Sequence, residues 1–400
     1  MIKKRICVVT TKSSTLKSFL IGQLEYLSRN GYDVTVVCDT DDELAQSLPE
    51  WIQYKPIPMK RGIDGFGSLR SIWNLYRLFK SGKYDIVQYS TPNAACYSSI
   101  ASWIAGIPIR LYCQWGIRYV GFHGWKRKLY KMIEKMTCSL STHVEPDSEG
   151  NLRFSRHEGL YTSDKSRVIW HGSANGVDLK KFDISQKEQW RKQIHQKYGL
   201  GNKDFIFGFI GRIEKDKGIN ELLSAFRTVV QSFDDVKLLI VGPYDKKPGI
   251  NQELITWSEE CASVIYCGYV TEVEKHISAM DVFILPSYRE GFGSVVVEAE
   301  AMGVPVIVTD IPGPTDAMQD GITGLVVPKA TVEPLVEAME NMRLNAAMRQ
   351  EMGHKAIHFA QTRYEQATLW TYILEDRDSL IHQLRPEDKG VMVKYESENT

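Results

Sequence analysis

The chain reads as an α/β protein of two doubly wound parallel-sheet domains, and three observations predict this. Strand-length apolar runs alternate with helix-length amphipathic segments, the pattern that builds parallel sheets covered on both faces. The alternation pauses at the polar passage NGVDLKKFD (175–183) and then starts again. At 400 residues, the chain has the length of two ordinary domains rather than one.

In order, the first set of strand candidates is RICVVT, DVTVVC, YKPIPM, DIVQYS, IRLYCQ, HVEPDS and RVIWHG. The helical stretch LKSFLIGQLEYLSRNG lies between the first two and ends with Gly31 at a C-cap position. The second set is DFIFGFIGR, VKLLIVGP, VIYCGYV, DVFILP, VPVIVTD and GLVVP. This gives domains at 1–178 and 179–370, with 371–400 forming a C-terminal helix that crosses back to the first domain and a polar tail beyond about Arg385.

Composition narrows the function classes. Formal charge is zero over the chain, but residues 1–178 hold 24 Lys and Arg against 16 Asp and Glu, and the remainder holds 25 against 33. Residues 51–135 hold 14 basic and 3 acidic residues, interleaved with Trp73, Tyr76, Phe79, Trp115, Phe122, Trp125 and Tyr130. A basic, aromatic face of this kind suits an anionic membrane surface or a diphosphate-bearing acceptor. Nucleic acid ranks last, because no nucleic-acid module signature accompanies the charge.

The seven cysteines form no C-x2-C pair, and Cys7, Cys38, Cys113 and Cys267 fall in apolar runs, as reduced core thiols do. The N-terminal apolar run is too short for a signal segment, and no run reaches spanning length. The expectation is a cytoplasmic protein, peripheral on the inner face of the cell membrane.

In doubly wound sheets ligands sit at the carboxyl ends of strands. The loops to examine are therefore Thr10–Thr15, Ser90–Ala95, Gln114–Tyr119, Gly211–Gly218, Gly268–Val270 and the stretch from Pro286 to Ile307. In the last, Gly291 and Gly293 fall on a strand-to-helix turn, with Ser294 as the expected N-cap and Gly303 ending the helix. The free amides of Gly293, Ser294 and Val295 and the positive end of the helix dipole suit an anion, a phosphate especially. Glu290 precedes the turn and Glu298 lies one turn inside the helix, so two carboxylates flank the anion position and can accept bonds from hydroxyls. In Gly211–Gly218, Arg212 and Lys217 supply cations that can converge on a diphosphate. None of these loops carries an Asp-x-Asp pair of the kind that grips a divalent ion, and Asp41-Asp42 and Asp234-Asp235 read as solvated loop charges. His354 and His358 read as surface residues, and no metal or other cofactor is expected.

These residues resemble glycosyltransferase family 4, nucleotide-sugar enzymes of the GT-B fold. The matching motifs are GR-x4-KG at Gly211–Gly218, PS-x2-EGFG-x4-EA at Pro286–Ala299, GVPVI at Gly303–Ile307 and DGITGLVVP at Asp320–Pro328. The first half resembles the capsule and exopolysaccharide branch in LKSFLIGQLEYLSRNGYDVTVVC, GIPIRLYCQWGIRY and GSANGVDLKKF.

The resemblance implies retaining transfer of a sugar from a nucleotide diphosphate, with UDP the expected nucleotide, to a glycan or lipid-diphosphate-linked glycan. It implies that Arg212 and Lys217 bind the diphosphate, that Glu290 faces the donor sugar and that Glu298 holds the ribose. Backbone at Tyr269 and Val270 would meet the base. Thr15, Trp115 and Arg118 are candidate acceptor or sugar contacts. Many members carry His where this chain has Trp115, so Gln114 or Arg118 is a candidate substitute for that role. A double displacement needs a nucleophile, and the loops at Thr10–Thr15, Ser90–Ala95 and Gln114–Tyr119 contain no Asp or Glu. Front-face transfer is therefore favoured. A GT-B sugar-nucleotide epimerase and a non-catalytic nucleotide- or glycan-binding scaffold are the competing readings.

Overall fold

The computed structural model describes residues 3–59, 65–244 and 248–385. Twelve strands form two parallel six-stranded sheets. The first contains β1 (Lys4–Val9), β2 (Tyr32–Val37), β3 (Ile52–Tyr54), β4 (Ile86–Tyr89), β5 (Ile109–Gln114) and β6 (His143–Pro146), in the order β3-β2-β1-β4-β5-β6. The second contains β7 (Phe205–Ile210), β8 (Val236–Val241), β9 (Val264–Gly268), β10 (Val282–Leu285), β11 (Val306–Thr309) and β12 (Gly324–Val327), in the order β12-β11-β10-β7-β8-β9. Both sheets have the same topology, and strand order reverses between β1 and β4 in one and between β7 and β10 in the other.

Near-continuous apolar strands follow from helices on both faces. Along β1, Cys7 and Val9 enter one core while Ile6 and Val8 enter the other, the period of two that a pleated strand imposes. Along β7, Phe205, Phe207 and Phe209 face one helical layer and Ile206 the opposite one.

Two strand expectations are corrected. YKPIPM overlaps the sheet only at Tyr54, the last residue of β3. Beyond it Lys55 N and Ile57 N still donate to Val36 O and Cys38 O, both at 2.9 Å, while Pro56 and Pro58 have no N–H to donate. Such a segment is tolerated because β3 lies at the sheet edge. RVIWHG is no strand: Ser166 makes one isolated bridge to Val144, and the chain then turns through Trp170 and Ser173 at positive φ.

The passage at 175–183 is not a loose tether. Val177 N donates to Tyr364 O at 2.7 Å and Gln366 N donates to Val177 O at 3.0 Å, so the two chain crossings run side by side. After the second crossing, the helix Gln366–Leu384 lies on the first sheet. Its Arg377, 1 % exposed, donates to Glu145 Oε2 and Asp376 Oδ2 at 2.6 Å each and to Gln88 Oε1. A buried guanidinium persists only with such partners, since an unpaired one costs several kcal/mol. Leu380 and Ile381 of the same helix complete the core beside β1 and β2. The polar tail beyond Arg385 lies outside the described residues.

Candidate active site

The sheet reversals explain why the loops singled out by sequence gather. Loops after β1 and β4 emerge at one reversal, and loops after β7 and β10 at the other. In the first, Thr11 Oγ1 and Thr91 Oγ1 lie 2.7 Å apart, and Thr11 N donates to Thr91 Oγ1 at 3.0 Å. In the second, Tyr288 N donates to Asp216 O at 2.9 Å. Arg289 also donates to Asp216 Oδ2, from Nη2 at 2.7 Å and from Nε at 2.9 Å.

Lys217 and Glu290 are brought together directly, Nζ bonded to Oε1. Ser287 Oγ donates to the same oxygen at 2.7 Å, and Thr309 Oγ1 holds the Ser287 carbonyl. Arg212 shares the loop but pairs with Glu214 Oε1 at 2.7 Å, so the two cations are each held by a carboxylate and point from one loop.

The helix expected to begin with Ser294 as N-cap spans Ser294–Ala301 and is capped by Gly293 instead. Gly293 adopts φ +83°, which a residue with a Cβ rarely does, and Ser294 is the first helical residue. Gly293 O takes the amide of Val296 at 2.8 Å, which leaves the amides of Ser294 and Val295 without an intrahelical acceptor. Glu298, one turn on, is half-buried with no hydrogen bond or ion pair among the described residues. Burial pushes its carboxyl up to about 7, opposed by Lys181. Tyr269 is 77 % exposed and Val270 half-buried, at the carboxyl end of β9.

Across the cleft, the loop after β5 meets this turn. A Cβ on Gly291 would lie 2.6 Å from Asp147 Oδ2 and 3.3 Å from Gly116 N, so only glycine fits. Asn151 Nδ2 bridges the same contact, donating to Asp147 Oδ1 at 3.0 Å and to Gly291 O at 2.9 Å. Beside it, Asp316 accepts the amide of Gly150 at 3.0 Å and caps a first-domain helix, Glu149–His157, from the second domain.

Asp147, Asn151 and Asp316 are site-lining residues that sequence reasoning missed. The available signal was position: Asp147 directly follows β6, a carboxyl end like the others. Asp147 is 4 % exposed, and burial, with Asp316 and Glu290 nearby, pushes its carboxyl up to about 7.

Of the remaining candidates, Thr15 is half-buried with its amide on Lys12 O, and Trp115 is half-buried against the core beside β1. Arg118 Nη1 donates to Asn93 Oδ1 at 3.2 Å. Gln114 cannot replace the family His. It is fully buried, its Nε2 donates to Glu134 at 2.6 Å, and its Oε1 accepts from Ser155 and Tyr161. Asp41 caps the helix Asp42–Ser47 and Asp235 pairs with Arg343, so neither is a merely solvated charge. Cys267 is half-buried rather than core, and His354 and His358 are exposed. Among the described residues, no three His, Cys, Asp or Glu side chains are grouped to hold a metal ion, and no helix is long and apolar enough to cross a membrane.

Two parallel sheets of this shared topology are the GT-B architecture. The family model for glycosyl transferases group 1 matches residues 191–359, and one for glycosyl transferase 4-like proteins matches residues 5–145. The capsular polysaccharide biosynthesis glycosyltransferase CapM of Staphylococcus aureus is 31 % identical over 370 residues, covering 92 % of this chain and 94 % of its own. The UDP-Gal:alpha-D-GlcNAc-diphosphoundecaprenol alpha-1,3-galactosyltransferase of Escherichia coli is 24 % identical over 327 residues, 80 % of this chain and 82 % of its own. Among solved structures, Anabaena Alr3699/HepE in complex with UDP superposes with a TM-score of 0.76 at 18 % identity, covering 94 % of this chain and all of that one. The chain belongs to the group 1 glycosyltransferases.

The raised carboxyl of Asp147 has a consequence for stability. Between its ordinary value of 3.8 and about 7, the folded protein keeps a proton that the unfolded chain has lost. Stability from this group is thus full at low pH and falls as pH rises, by about 1.4 kcal/mol per pH unit in that window. Asp147→Asn removes the dependence, so thermal unfolding should favour the variant over the wild type more at pH 8 than at pH 5. A gap that does not change with pH would contradict this.

Proposed function

We propose that this glycosyltransferase moves a hexose from a UDP-sugar, with retention of configuration, to a lipid-diphosphate-linked glycan at the cytoplasmic face of the membrane. The observation that carries the reading is the Lys217–Glu290 pair set beside the open amides of Ser294 and Val295. In this reading Arg212, Lys217 and those amides, with that of Gly293, take the diphosphate. Glu290 faces the transferred sugar, Glu298 accepts from the ribose, and the backbone of Tyr269 and Val270 meets the base. Arg212 exchanges Glu214 for phosphate, a swap that keeps the guanidinium oriented throughout. Glu298, half-buried and with no hydrogen bond or ion pair among the described residues, suits a ligand hydroxyl. The donor and acceptor classes draw support from the name of the Escherichia coli relative, which carries both UDP-Gal and diphosphoundecaprenol.

As the glycosidic bond breaks, negative charge grows on the leaving diphosphate, where fixed cations and amides stabilise it. In front-face transfer the acceptor oxygen bonds to the anomeric carbon as the diphosphate oxygen leaves, and the acceptor proton passes to that diphosphate. Asp147, a first-domain carboxyl facing the turn after β10, is sealed against Gly291 and bonded to Asn151, so it is no free nucleophile. Removing the fixed cation with Lys217→Ala should lower turnover by about 10²–10³-fold, measured as sugar transfer from UDP-sugars. Turnover within a few-fold of wild type would remove Lys217 from the mechanism.

The membrane half of the reading rests on the helix Gly124–Leu140. Trp125, Lys128, Met132, Lys135 and Met136 are exposed at spacings that share one face. Interleaved cations and apolar side chains suit an anionic lipid surface. Vesicles containing anionic lipid should bind the protein at low salt and release it as salt rises. Equal binding to neutral vesicles, or none to either, would count against it.

A further inference from the structure

The passage DLKKF (178–182) joins the two domains, and its local structure aims one ammonium at the second-domain wall of the cleft. Asp178 fixes the turn. Its carbonyl oxygen accepts the amides of Lys181 and Phe182 at 3.1 and 2.8 Å, and its Oδ1 accepts the amide of Lys180 at 2.9 Å. Phe182, 5 % exposed, anchors the turn in the core cluster against which Val273 and Val295 also pack. Lys181 therefore leaves the chain beside two helices, Val273–Ser278 and Ser294–Ala301, and each of them brings a carboxyl near it.

Neither carboxyl is satisfied. Glu274 is 9 % exposed, and its Oε2 accepts no hydrogen bond. Lys181 Nζ lies 3.8 Å from that oxygen, inside ion-pair range but beyond hydrogen-bond reach. Glu298, three residues on from Val295, has no hydrogen bond or ion pair among the described residues. Burial and the Glu274 charge disfavour its ionised form, the Lys181 ammonium favours it, and the carboxyl stands at about 7. One cation thus acts on two carboxyls and is bonded to neither. The neighbouring Lys180 faces Glu365 instead, so the effect belongs to one side chain and not to the charge of the passage as a whole. Ionisation matters to a ribose, because a carboxylate only accepts and can take two hydroxyls at once, whereas a protonated carboxyl spends one oxygen on its own proton.

We infer that Lys181 is a positioning residue for the nucleoside half of the donor: standing between Glu274 and Glu298, its ammonium holds Glu298 as the carboxylate that accepts both ribose hydroxyls. This rests on the ribose reading of Glu298 above and adds to it a residue supplied by the passage between the domains. The ligand class it favours is a ribonucleotide with both hydroxyls free.

The probes are UDP and 2′,3′-dideoxy-UDP, titrated into the full chain by calorimetry between pH 6 and pH 9. Their diphosphates titrate alike, so the ratio of the two affinities isolates the hydroxyls. In the wild type the ratio should favour UDP at high pH and fall as pH drops through about 7. Removing one opposite charge raises such a carboxyl by about one pH unit, so Lys181→Met should lower the ratio about five-fold at pH 7 and regain the wild-type value by pH 9. Lys181→Arg keeps the charge, and Lys180→Met removes an equal charge one residue away; both should follow the wild type. The affinity for 2′,3′-dideoxy-UDP should be the same in all of them.

A ratio in Lys181→Met that matches the wild type at every pH, or one lowered equally at every pH, would overturn the inference. Equal affinity of the wild type for both probes, or a ratio unchanged in Glu298→Gln, would overturn the ribose reading and this inference with it. A ratio lost in Glu298→Gln but untouched in Lys181→Met would overturn this inference alone.

Discussion

The bare backbone at Gly291 is the constraint on which the rest of the site depends. The turn that carries Glu290 can reach the first domain only because no side chain stands between it and Asp147 and Gly116. Asn151 then bonds both sides of the contact, and Asp316 caps a helix across it. The carboxyl ends of two separately folded sheets are thereby held face to face, which gives one cleft two differently built walls.

The walls differ in charge as well as in origin. The second-domain wall alternates cations and carboxylates in pairs, Lys217 with Glu290 and Arg212 with Glu214. Paired charges in a partly buried cleft hold each other's geometry without a ligand, so such a site needs little reorganisation. The first-domain wall is neutralised more sparingly. Burial pushes its carboxyl, Asp147, up to about 7, and the guanidinium of Arg118 is oriented by an amide and a ring. The crossing helix, fixed by buried Arg377, ties the second domain's last segment to the first sheet.

Much of this was legible in the sequence, for a physical reason. The second-domain candidates are local: Arg212, Lys217 and Glu290 follow strands whose apolar runs announce them, Glu298 lies in the helix after the same turn, and the sheet reversal gathers those loops without further instruction. Glu290, Lys217, Arg212 and Glu298 stand out as candidates in that way. Contacts made across the cleft could not, because no spacing reports them. Asp147 and Asn151 look like an ordinary strand end and helix start until Gly291 is seated on them. Gln114 shows the opposite error. Its loop position promised a ligand contact, but a buried Glu134 and Tyr161 consume its amide. Ser294 had the composition of an N-cap, yet the turn before the helix is left-handed, and Gly293, which adopts φ +83° without strain, takes that place.

The coupling of the two walls through Gly291 is tested most directly by Gly291→Ala, comparing UDP affinity with the rate of sugar transfer. A methyl group there would meet Asp147 Oδ2 at 2.6 Å and push the walls apart while leaving Lys217 and the helix amides in place. UDP affinity within about two-fold of wild type, with transfer lowered by about 10²-fold, is the expected result. Transfer at the wild-type rate, or UDP binding lost in proportion to transfer, would contradict it.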